Sequence, residues 1–351
     1  MDVLEYLKKT VDDQASDLII ISGMPVSYKK NGEIVAISDY VVMPNLADEA
    51  VKGLFELGGR PMTNFDEKGD DDFPISIKGL SRFRVSAYRQ RGSMAAVIRT
   101  VKFEIPTPEQ MEIPEEVINI SDLVHGLAIV TGPTGSGKST TLACIIDAIN
   151  TKHALHIITL EDPIEYLHKN KKSAISQREI GVDTLNHVSA MRACMRQAPD
   201  VILLGEMRDF ETITAATTAA ETGHLVLSTL HTIGAVNTID RIIDVFPTNR
   251  QAQIRMQLSL TLQTVISQQL VPTVDGKLTP AFEIMKLNSA IRNMIRDSKT
   301  HQIDSVIQAS QAEGMVSMDN SLLKLFKDGR ITAETAIKYA MNPDFVERKC
   351  K

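Results

Sequence analysis

Gly126-Leu-Ala-Ile-Val-Thr131-Gly132-Pro-Thr-Gly-Ser-Gly-Lys-Ser139 is an apolar run followed by a glycine-rich loop with the spacing G-x-x-x-x-G-K-[ST]. Glycines at these positions let backbone N–H groups curl around a triphosphate without interference from Cβ atoms. We expect Lys138 to reach the β and γ phosphates and the hydroxyl of Ser139 to bind Mg²⁺. A helix that begins near Thr140 would direct its positive end at the same anion. The predicted nucleotide-binding residues are Gly132, Pro133, Thr134, Gly135, Ser136, Gly137, Lys138, Ser139 and Thr140.

Composition limits the class of protein. The chain has 351 residues, enough for about two domains with cores of their own. It has 38 Lys and Arg against 44 Asp and Glu, and this net charge of −6 disfavours a general nucleic-acid binder. The cysteines, Cys144, Cys194 and Cys350, are far apart and predict neither a disulfide framework nor a zinc cluster.

Targeting signals are missing from the sequence pattern. The first residues, Met1–Lys9, resemble the start of an amphipathic helix and lack the cationic and apolar regions of a signal peptide. No apolar run approaches the roughly 20 residues that span a bilayer. We therefore expect a cytoplasmic protein without membrane insertion, which reaches the cytoplasmic membrane only through partners.

A change of pattern divides the chain into parts. Residues 1–102 combine helical stretches with short alternating strands, which predicts a small α+β domain. Residues 103–125 contain three prolines and are predicted to form a linker that ends in a short helix. In residues 126–351, apolar runs alternate with helical segments, as is typical of a parallel sheet with helices on both faces. These runs are Gly126–Thr131, His156–Leu160, Val201–Gly205 and His224–Thr229, and the chain after Thr279 is predicted to be largely helical.

Two acidic segments indicate hydrolysis in addition to binding. Pro199–Arg208 is an apolar strand that leads to Glu206, an acid placed to lie beside Mg²⁺ and the attacking water. The alternative for Glu206 is a solvated carboxylate at a strand end. A second apolar run leads to three carboxylates, Glu161, Asp162 and Glu165, which would repel one another unless a cation or arginines were near. This spacing favours a metal-nucleotide site over an ordinary loop.

Two histidines flank a third apolar run. His224 precedes this strand and His231 follows it, so the two lie roughly 23 Å apart and cannot share a metal. His231 leaves the strand at the end where parallel sheets bind ligands, and there it could contact a γ-phosphate. His224 is expected to be structural or to lie at an interface, and a hydrogen-bonded structural role remains the alternative for both.

The first domain carries cations on a strand pattern. Arg82 and Arg84 lie two residues apart and share one strand face, whereas Phe83 and Val85 face the other side. Together with Arg99 they would suit an anion. A triphosphate of the same or the next subunit is favoured, because a supplied arginine commonly neutralises a transferred phosphoryl group. Nucleic acid and a solvated strand face are the alternatives.

Taken together, these segments resemble the secretion ATPase superfamily of type II secretion and type IV pili, and within it the PilT-type pilus retraction ATPases. The resemblance covers nearly the whole chain. Its carriers, besides the phosphate loop and the arginines, are Ala15–Leu18, Asn31–Glu33, Thr159–Glu165 as the Asp box, Gly205–Asp209 as Walker B, Thr222–Thr232 as the His box, and Ala290–Asp297, which is similar to a helix signature associated with retraction.

The resemblance implies a fold and an assembly. The implied fold is a RecA-like P-loop core preceded by a PAS-like domain, and the implied assembly is a homohexameric ring that binds ATP and Mg²⁺ between subunits. By the matching positions, Glu165 would be the catalytic carboxylate and Glu206 the acid near Mg²⁺. Arg84 and Arg99 would act on the nucleotide of a neighbouring subunit.

Within the superfamily, the sequence favours retraction. Extension and secretion motors carry an additional N-terminal domain and often a four-cysteine zinc module, and this chain has no C-x-x-C pair. Retraction implies an inner-membrane platform protein as a partner, and a paralogous retraction ATPase as a second one. Ser267–Gly276 is equally similar to the accessory PilU-type ATPase. A nucleotide-gated scaffold without motor output and a ring helicase remain as other classes.

The retraction signature has an amphipathic pattern. Ile291, Met294 and Ile295 form one apolar helix face, and Arg292 and Arg296 lie four residues apart on another. We expect the arginine face to couple ring motion to the platform. The alternative is a helix that simply packs on the core with solvated arginines.

Overall fold

The computed structural model describes residues 1–30, 32–101 and 104–351. The chain forms two compact units. The first comprises Met1–Glu104 with Glu165–Leu167, and the second comprises Ile105–Ile164 with His168–Lys351. Asn31 of the motif Asn31–Glu33 and the predicted boundary between residues 102 and 103 lie outside the described residues.

The first unit is an antiparallel sheet with helices. Its described strands run in the order β3-β2-β1-β6-β5-β4, and every adjacent pair is antiparallel. The first helix begins where the side chain of Asp2 accepts the N–H groups of Leu4 and Glu5. The elements are α1 (Val3–Asp12), β1 (Asp17–Ile20), β2 (Pro25–Lys30), β3 (Glu33–Val41), α2 (Pro44–Leu57), α3 (Thr63–Lys68), β4 (Asp70–Ile77), β5 (Ser81–Gln90) and β6 (Ser93–Val101).

Strand β5 shows how this unit divides its two faces. Phe83 and Val85 are fully buried, whereas Arg82 and Arg84 between them stay partly exposed. The predicted alternation is therefore confirmed. One face of β5 joins the apolar core with α2, and the other leaves its arginines accessible.

The second unit is built on a mostly parallel sheet. Its strand order is β13-β12-β7-β11-β10-β8-β9, with every pair parallel except β12 and β13. Strand β7 buries Leu127 and Ile129 in one core and Ala128 and Val130 in another, so both sheet faces are covered. The strands are β7 (Gly126–Thr131), β8 (His156–Glu161), β9 (Ala174–Glu179), β10 (Val201–Leu204), β11 (Leu225–Leu230), β12 (Leu262–Pro272) and β13 (Leu278–Lys286).

Helices connect and cover these strands. They are α4 (Glu115–Ile118), a 3-10 turn (Asn119–Asp122), α5 (Lys138–Lys152), α6 (His187–Cys194), α7 (Phe210–Glu221), α8 (Ala235–Asp244), α9 (Thr248–Thr261), α10 (Ser289–Arg296), a 3-10 turn (Thr300–Gln302), α11 (Ile303–Ala309), a 3-10 turn (Gln311–Glu313), α12 (Met318–Lys327), α13 (Ala333–Tyr339) and α14 (Pro343–Cys350). None of the helices in the described part of the chain combines the length and the apolarity needed to cross a bilayer.

The structure differs from the predicted elements in three places. The parallel core is confirmed, but β9 and β12 were not predicted. The segment after Thr279 begins with the antiparallel strand β13 and becomes helical only from Ser289. The expected linker is packed: Ile113, Val117 and Ile120 are buried in the second unit. Its prolines break regular structure, yet its apolar residues still cover the sheet.

Candidate functional site

The backbone of the glycine-rich loop is so closely confined at Gly132 that only glycine fits there. Gly132, Gly135 and Gly137 all have positive φ values, of 145°, 80° and 90°. A Cβ atom on Gly132 would lie 2.1 Å from the backbone oxygen of Gln268 on the neighbouring strand. The loop is thus held against β12, and the backbone curls without side-chain obstruction.

Lys138 is already folded into the loop. Its side chain is largely buried, with 9% of the residue exposed, and Nζ donates to the carbonyl oxygens of Gly132 at 2.8 Å and Pro133 at 3.0 Å. The buried hydroxyl oxygen of Ser136 has no hydrogen-bond partner within the described part of the chain. A buried ammonium and an unsatisfied hydroxyl inside a ring of glycines fit an anion such as a phosphate chain.

Gln268 supports the loop and was not found by sequence reasoning. It is 4% exposed, and its Oε1 accepts a hydrogen bond of 2.7 Å from Thr141 in the first turn of α5. Its Nε2 would lie 3.0 Å from a Cβ on Gly137. A polar residue inside the apolar strand β12 was the available signal, but its partner is distant in sequence.

A cavity of about 220 Å³ opens beside the start of α5. Its lining combines apolar side chains with polar ones, of which Thr141 and Gln268 are buried. A planar group attached to a phosphate chain would find apolar surface there. The lining includes Met111, Ile113, Thr140, Leu270, Leu278 and Pro280.

Glu206 lies just beyond the carboxyl end of β10, with an arginine and a histidine beside it. Arg208 Nε lies 2.6 Å from its Oε1, and Nε2 of His231 lies 3.4 Å from its Oε2. Only 17% of the Glu206 side chain is exposed, whereas 73% of Arg208 is. The structure thus brings together two residues that the sequence proposed for catalysis, Glu206 and His231, because β10 and β11 are adjacent and parallel.

The carboxylates of the second acidic segment do not by themselves form a group of metal ligands among the described residues. Oε1 of Glu161 accepts hydrogen bonds from Thr159 at 2.5 Å and from Gln177 at 3.2 Å. Glu165 is exposed and belongs to the first compact unit, although its neighbours Glu161 and Asp162 belong to the second. Among the described residues, no three His, Cys, Asp or Glu side chains are grouped to hold a metal ion. Thr159 and Gln177 thus hold Glu161 in place, and the metal-nucleotide site at this segment stays a prediction.

The arginines of the first unit are partnered by aspartates. Arg84 and Arg99 are directly opposite each other on β5 and β6. Arg84 Nη2 lies 3.1 Å from Asp72, and Arg99 Nε lies 2.9 Å from Asp17. Of the Arg99 side chain, 71% remains exposed. The two cations share one sheet face, but Arg84 pairs with an exposed aspartate, whereas only 9% of the side chain of Asp17, the partner of Arg99, is exposed.

Comparisons with known proteins agree with this architecture. A family model described as type II/IV secretion system protein matches residues 102–324. The type IV pilus retraction ATPase PilT of Pseudomonas aeruginosa is 42% identical over 346 residues, covering 98% of this chain and 99% of that protein. This chain belongs to the PilT family of type II/IV secretion ATPases. It is accordingly a P-loop ATPase.

Two further comparisons place it more closely within the PilT family. The type IV pilus ATPase PilU of Pseudomonas aeruginosa is 39% identical over 341 residues, covering 97% of this chain and 89% of that protein. A crystal structure of the pilus retraction motor PilT with bound ADP superposes with a TM-score of 0.92 at 42% identity, and 99% of each chain is covered. PilT and PilU both align with this chain along almost its full length.

The other signature residues of this PilT-family chain have local roles. Nδ1 of His224 lies 3.0 Å from the backbone oxygen of Ala219 and 3.2 Å from the hydroxyl of Thr222. Arg292 Nη1 donates to the carbonyl oxygens of Ser259 at 2.7 Å and Leu260 at 3.2 Å, in the last turn of α9. The two arginines therefore do not share one solvated face, because Arg292 donates to carbonyl oxygens at the C-terminus of α9.

Arg296, one turn further along α10, makes only short-range contacts in the described structure. Its Nη2 donates to Asn293 at 2.8 Å, and its Nε lies 3.3 Å from Asp297. Close to half of its side chain is exposed. Of the two arginines, Arg296 is the one that a partner could reach.

Proposed function

We propose that this protein is an ATP-hydrolysing motor that drives type IV pilus retraction. The observation that carries the proposal is a preformed phosphate loop at the same carboxyl edge of the parallel sheet as a strand-end acid, Glu206, in a chain that aligns with a pilus retraction ATPase over 98% of its length. ATP is the substrate. Its phosphates lie in the loop with Lys138, and its base lies in the adjoining apolar cavity.

Mg²⁺ is the metal that these donors fit. The hydroxyl of Ser139 and the carboxylate of Glu206 are hard oxygen ligands. The absence of a cluster of three or more metal-binding side chains among the described residues agrees with this ion, which is usually held by one or two carboxylates and substrate phosphates. Ser139 and Glu206 would hold the ion, which would supply positive charge against the charge that develops on the phosphates. Arg208 would give up its contact with Glu206 on binding.

Hydrolysis requires a group that accepts a proton from water. We assign this role to Glu165, whose carboxylate is exposed and accessible to solvent. His231 lies 3.4 Å from Glu206 and is assigned to report the presence of the γ-phosphate. A protonated or donor Nε2 at this position can bind either the acid or a phosphate oxygen, so nucleotide binding and turnover are linked there.

Assembly as a homohexamer completes this proposal. Arg84 and Arg99 of one subunit would exchange their aspartates for the nucleotide of the next subunit. The ring would act on an inner-membrane platform protein. A paralogous retraction ATPase is a further partner, and an accessory role of the PilU type is the second candidate, since PilU is 39% identical over 97% of this chain.

Phosphate release by the purified full chain tests the enzymatic part of the proposal. We expect Mg²⁺-dependent ATP hydrolysis that is not stimulated by DNA. Binding without hydrolysis would instead identify a nucleotide-gated scaffold, and stimulation by DNA would identify a nucleic-acid motor.

Complementation tests the cellular part. The gene is expressed in a type IV piliated strain that lacks its retraction ATPase, and retraction is measured by twitching. Rescue by the wild-type chain but not by the Glu206→Gln variant is expected. Rescue only in the presence of a second retraction ATPase would assign the accessory role, and failure in both backgrounds at normal protein level would contradict retraction.

A further inference from the structure

Three polar side chains form a row across three adjacent strands of the second sheet. Thr131 on β7 is the register partner of Ser267 on β12, and Ser267 is the register partner of Glu283 on β13. Aligned residues on adjacent strands point to the same face, which here is the face of Leu127 and Ile129. All three are buried, with Thr131 and Ser267 at 0% and Glu283 at 4% exposure.

Each member of this polar row binds the turn that follows β11. Thr131 Oγ1 donates to the carbonyl oxygen of Thr232 at 2.5 Å, Gly234 N donates to Ser267 Oγ at 2.9 Å, and Ala235 N donates to Glu283 Oε1 at 2.6 Å. The turn begins directly after His231. Its backbone is therefore fixed at successive points across three strands, and the side chain of His231 is held beside Glu206 as a result.

Glu283 also binds a second element. Its other oxygen, Oε2, accepts a hydrogen bond of 3.2 Å from Met318 N, the first residue of α12. One buried carboxylate thus receives the N-termini of both α8 and α12, where helix dipoles favour negative charge. Burial raises the pKa of Glu283, and Asp304 and Asp319 raise it further, while the two N–H groups act against this rise.

We propose that Glu283 is a positioning residue for ATP hydrolysis. It holds the turn that carries His231 at a fixed place beside Glu206 and links that turn to the C-terminal helices α12–α14. The proposal rests on the function proposed above, in particular on the role of His231. A change in the position of His231 would move the start of α8, and Glu283 would transmit this movement to α12.

A purely structural role is the competing explanation, and Asp319 provides the matched control. Like Glu283, Asp319 is 4% exposed, and its carboxylate accepts backbone N–H groups at a helix start, from Met341 at 2.7 Å and Asn342 at 3.1 Å. These partners belong to the C-terminal helices and not to the turn. Losing either carboxylate should cost stability, but only Glu283 should affect the chemistry.

The test compares Glu283→Gln and Asp319→Asn in the full-length assembled enzyme. Each amide keeps the shape but can no longer accept at both oxygens. Steady-state ATP hydrolysis is measured well below the melting temperature, and thermal unfolding is measured in parallel. We expect Glu283→Gln to lower kcat about tenfold with KM changed less than about twofold. Asp319→Asn should lower the melting temperature comparably and leave kcat within about twofold.

A double-mutant cycle with His231→Ala then tests whether Glu283 acts through the histidine. If it does, kcat of the double variant should be no more than about threefold below kcat of His231→Ala alone. The effects of the two substitutions would then be non-additive. If the fold-reductions in kcat of the two single variants multiply in the double variant, the proposal is overturned. Equal kcat values for Glu283→Gln and Asp319→Asn would also overturn it. If Glu283→Gln does not fold, Ser267→Ala loosens the same turn, and it should lower kcat about threefold with KM unchanged; an unchanged kcat overturns the proposal.

The same measurements separate failure of this inference from failure of the proposed function. If His231→Ala lowers kcat but Glu283→Gln does not, only the positioning role is wrong. If His231→Ala leaves kcat unchanged, the role of His231 is wrong and the positioning role falls with it. If the wild-type chain does not hydrolyse ATP, the proposed function itself is wrong.

Discussion

The cations of the two units are prepared for phosphate in opposite ways. In the second unit, Lys138 is 9% exposed and bonds to loop carbonyl oxygens, so its position is fixed before any ligand arrives. In the first unit, Arg84 and Arg99 are held by Asp72 and Asp17, with 37% and 71% of their side chains exposed. A buried lysine in a closed loop is preorganised, whereas an exposed arginine on a carboxylate can exchange partners.

This difference predicts which cation determines nucleotide binding and which cations determine turnover. Arg84 and Asp72 form an exposed ion pair, which contributes about 0 to 1 kcal/mol, so exchanging Asp72 for phosphate is energetically easy. Only 9% of the Asp17 side chain is exposed, so Arg99 would leave a buried carboxylate behind and should exchange less readily. A buried ammonium has no such freedom, because moving it would leave loop carbonyls unsatisfied. Lys138 should therefore determine whether nucleotide binds, and the arginines should determine whether a neighbouring subunit permits turnover.

The largest effect is expected from Lys138→Ala. Loss of the point charge on the β and γ phosphates should lower ATP turnover by at least about 10³-fold. Phosphate release and fluorescent-nucleotide binding measure this. Lys152→Ala, at the other end of α5, removes contacts with Ser121 and Asp122 and should retain turnover. Equal turnover in Lys138→Ala and Lys152→Ala would contradict the distinction between preorganised and exchangeable cations.

The acids should give the next largest effect. Glu206→Gln and Glu165→Gln should each retain nucleotide binding and lower kcat by about 10²-fold, because an amide cannot accept a proton or bind Mg²⁺ as strongly. Asp209→Asn is the control, since Asp209 caps α7 and asparagine caps equally well. Wild-type rates in both glutamine variants would contradict the assignment of these acids.

Mixed rings test the exchangeable arginines. Arg84→Ala should lower kcat by about tenfold or more, and Asp72→Asn, which frees Arg84, should not lower it. Mixing Lys138→Ala subunits with Arg84→Ala subunits should restore some activity, because a mixed ring contains interfaces with both groups intact. Full activity of a diluted monomer, or no recovery on mixing, would contradict action across subunits.

The two arginines of α10 should have separate roles, Arg292 in the stability of the fold and Arg296 in pilus retraction. Arg292→Ala removes the hydrogen bonds to the end of α9 and should lower the free energy of unfolding by about 1 to 2 kcal/mol. Arg296→Ala should change neither stability nor turnover, yet abolish pilus retraction in cells. Thermal unfolding, phosphate release and twitching measure the three quantities. Normal twitching with Arg296→Ala at normal protein level would remove the coupling role.

The smallest effect is expected from the ion pair of Arg60 and Asp71 in the first unit, which should not exchange its partners. Burial by itself raises the pKa of Asp71, but the bonds from Arg60 and Asn64 outweigh it and lower the pKa below the usual value. The stability from this carboxylate is therefore complete above its unfolded pKa of about 3.9 and is lost as pH falls below that value. Asp71→Asn should cost about 1 kcal/mol at neutral pH and flatten the acid side of the stability profile, which denaturation at several pH values measures.

Local sequence was enough to predict the elements whose signals lie within a few residues. The loop at Gly132–Ser139, the strand before it and the helix after it depend on glycine, apolar runs and helix period, and all three are present. Alternation along β5 correctly placed Arg84 opposite the core. Glu206 and His231 were placed at the same sheet edge because parallel strands end on the same side, and they do lie together.

Tertiary structure alone decided the partners. Gln268 supports the loop from β12, Glu283 binds two helix starts from β13, and Arg292 caps α9. Each of these contacts joins residues that are far apart in sequence or that belong to strands the pattern did not reveal. A polar residue within an apolar strand signals that some partner exists, but only strand order and register determine which one, because hydrogen bonds depend on distances that a linear pattern does not contain.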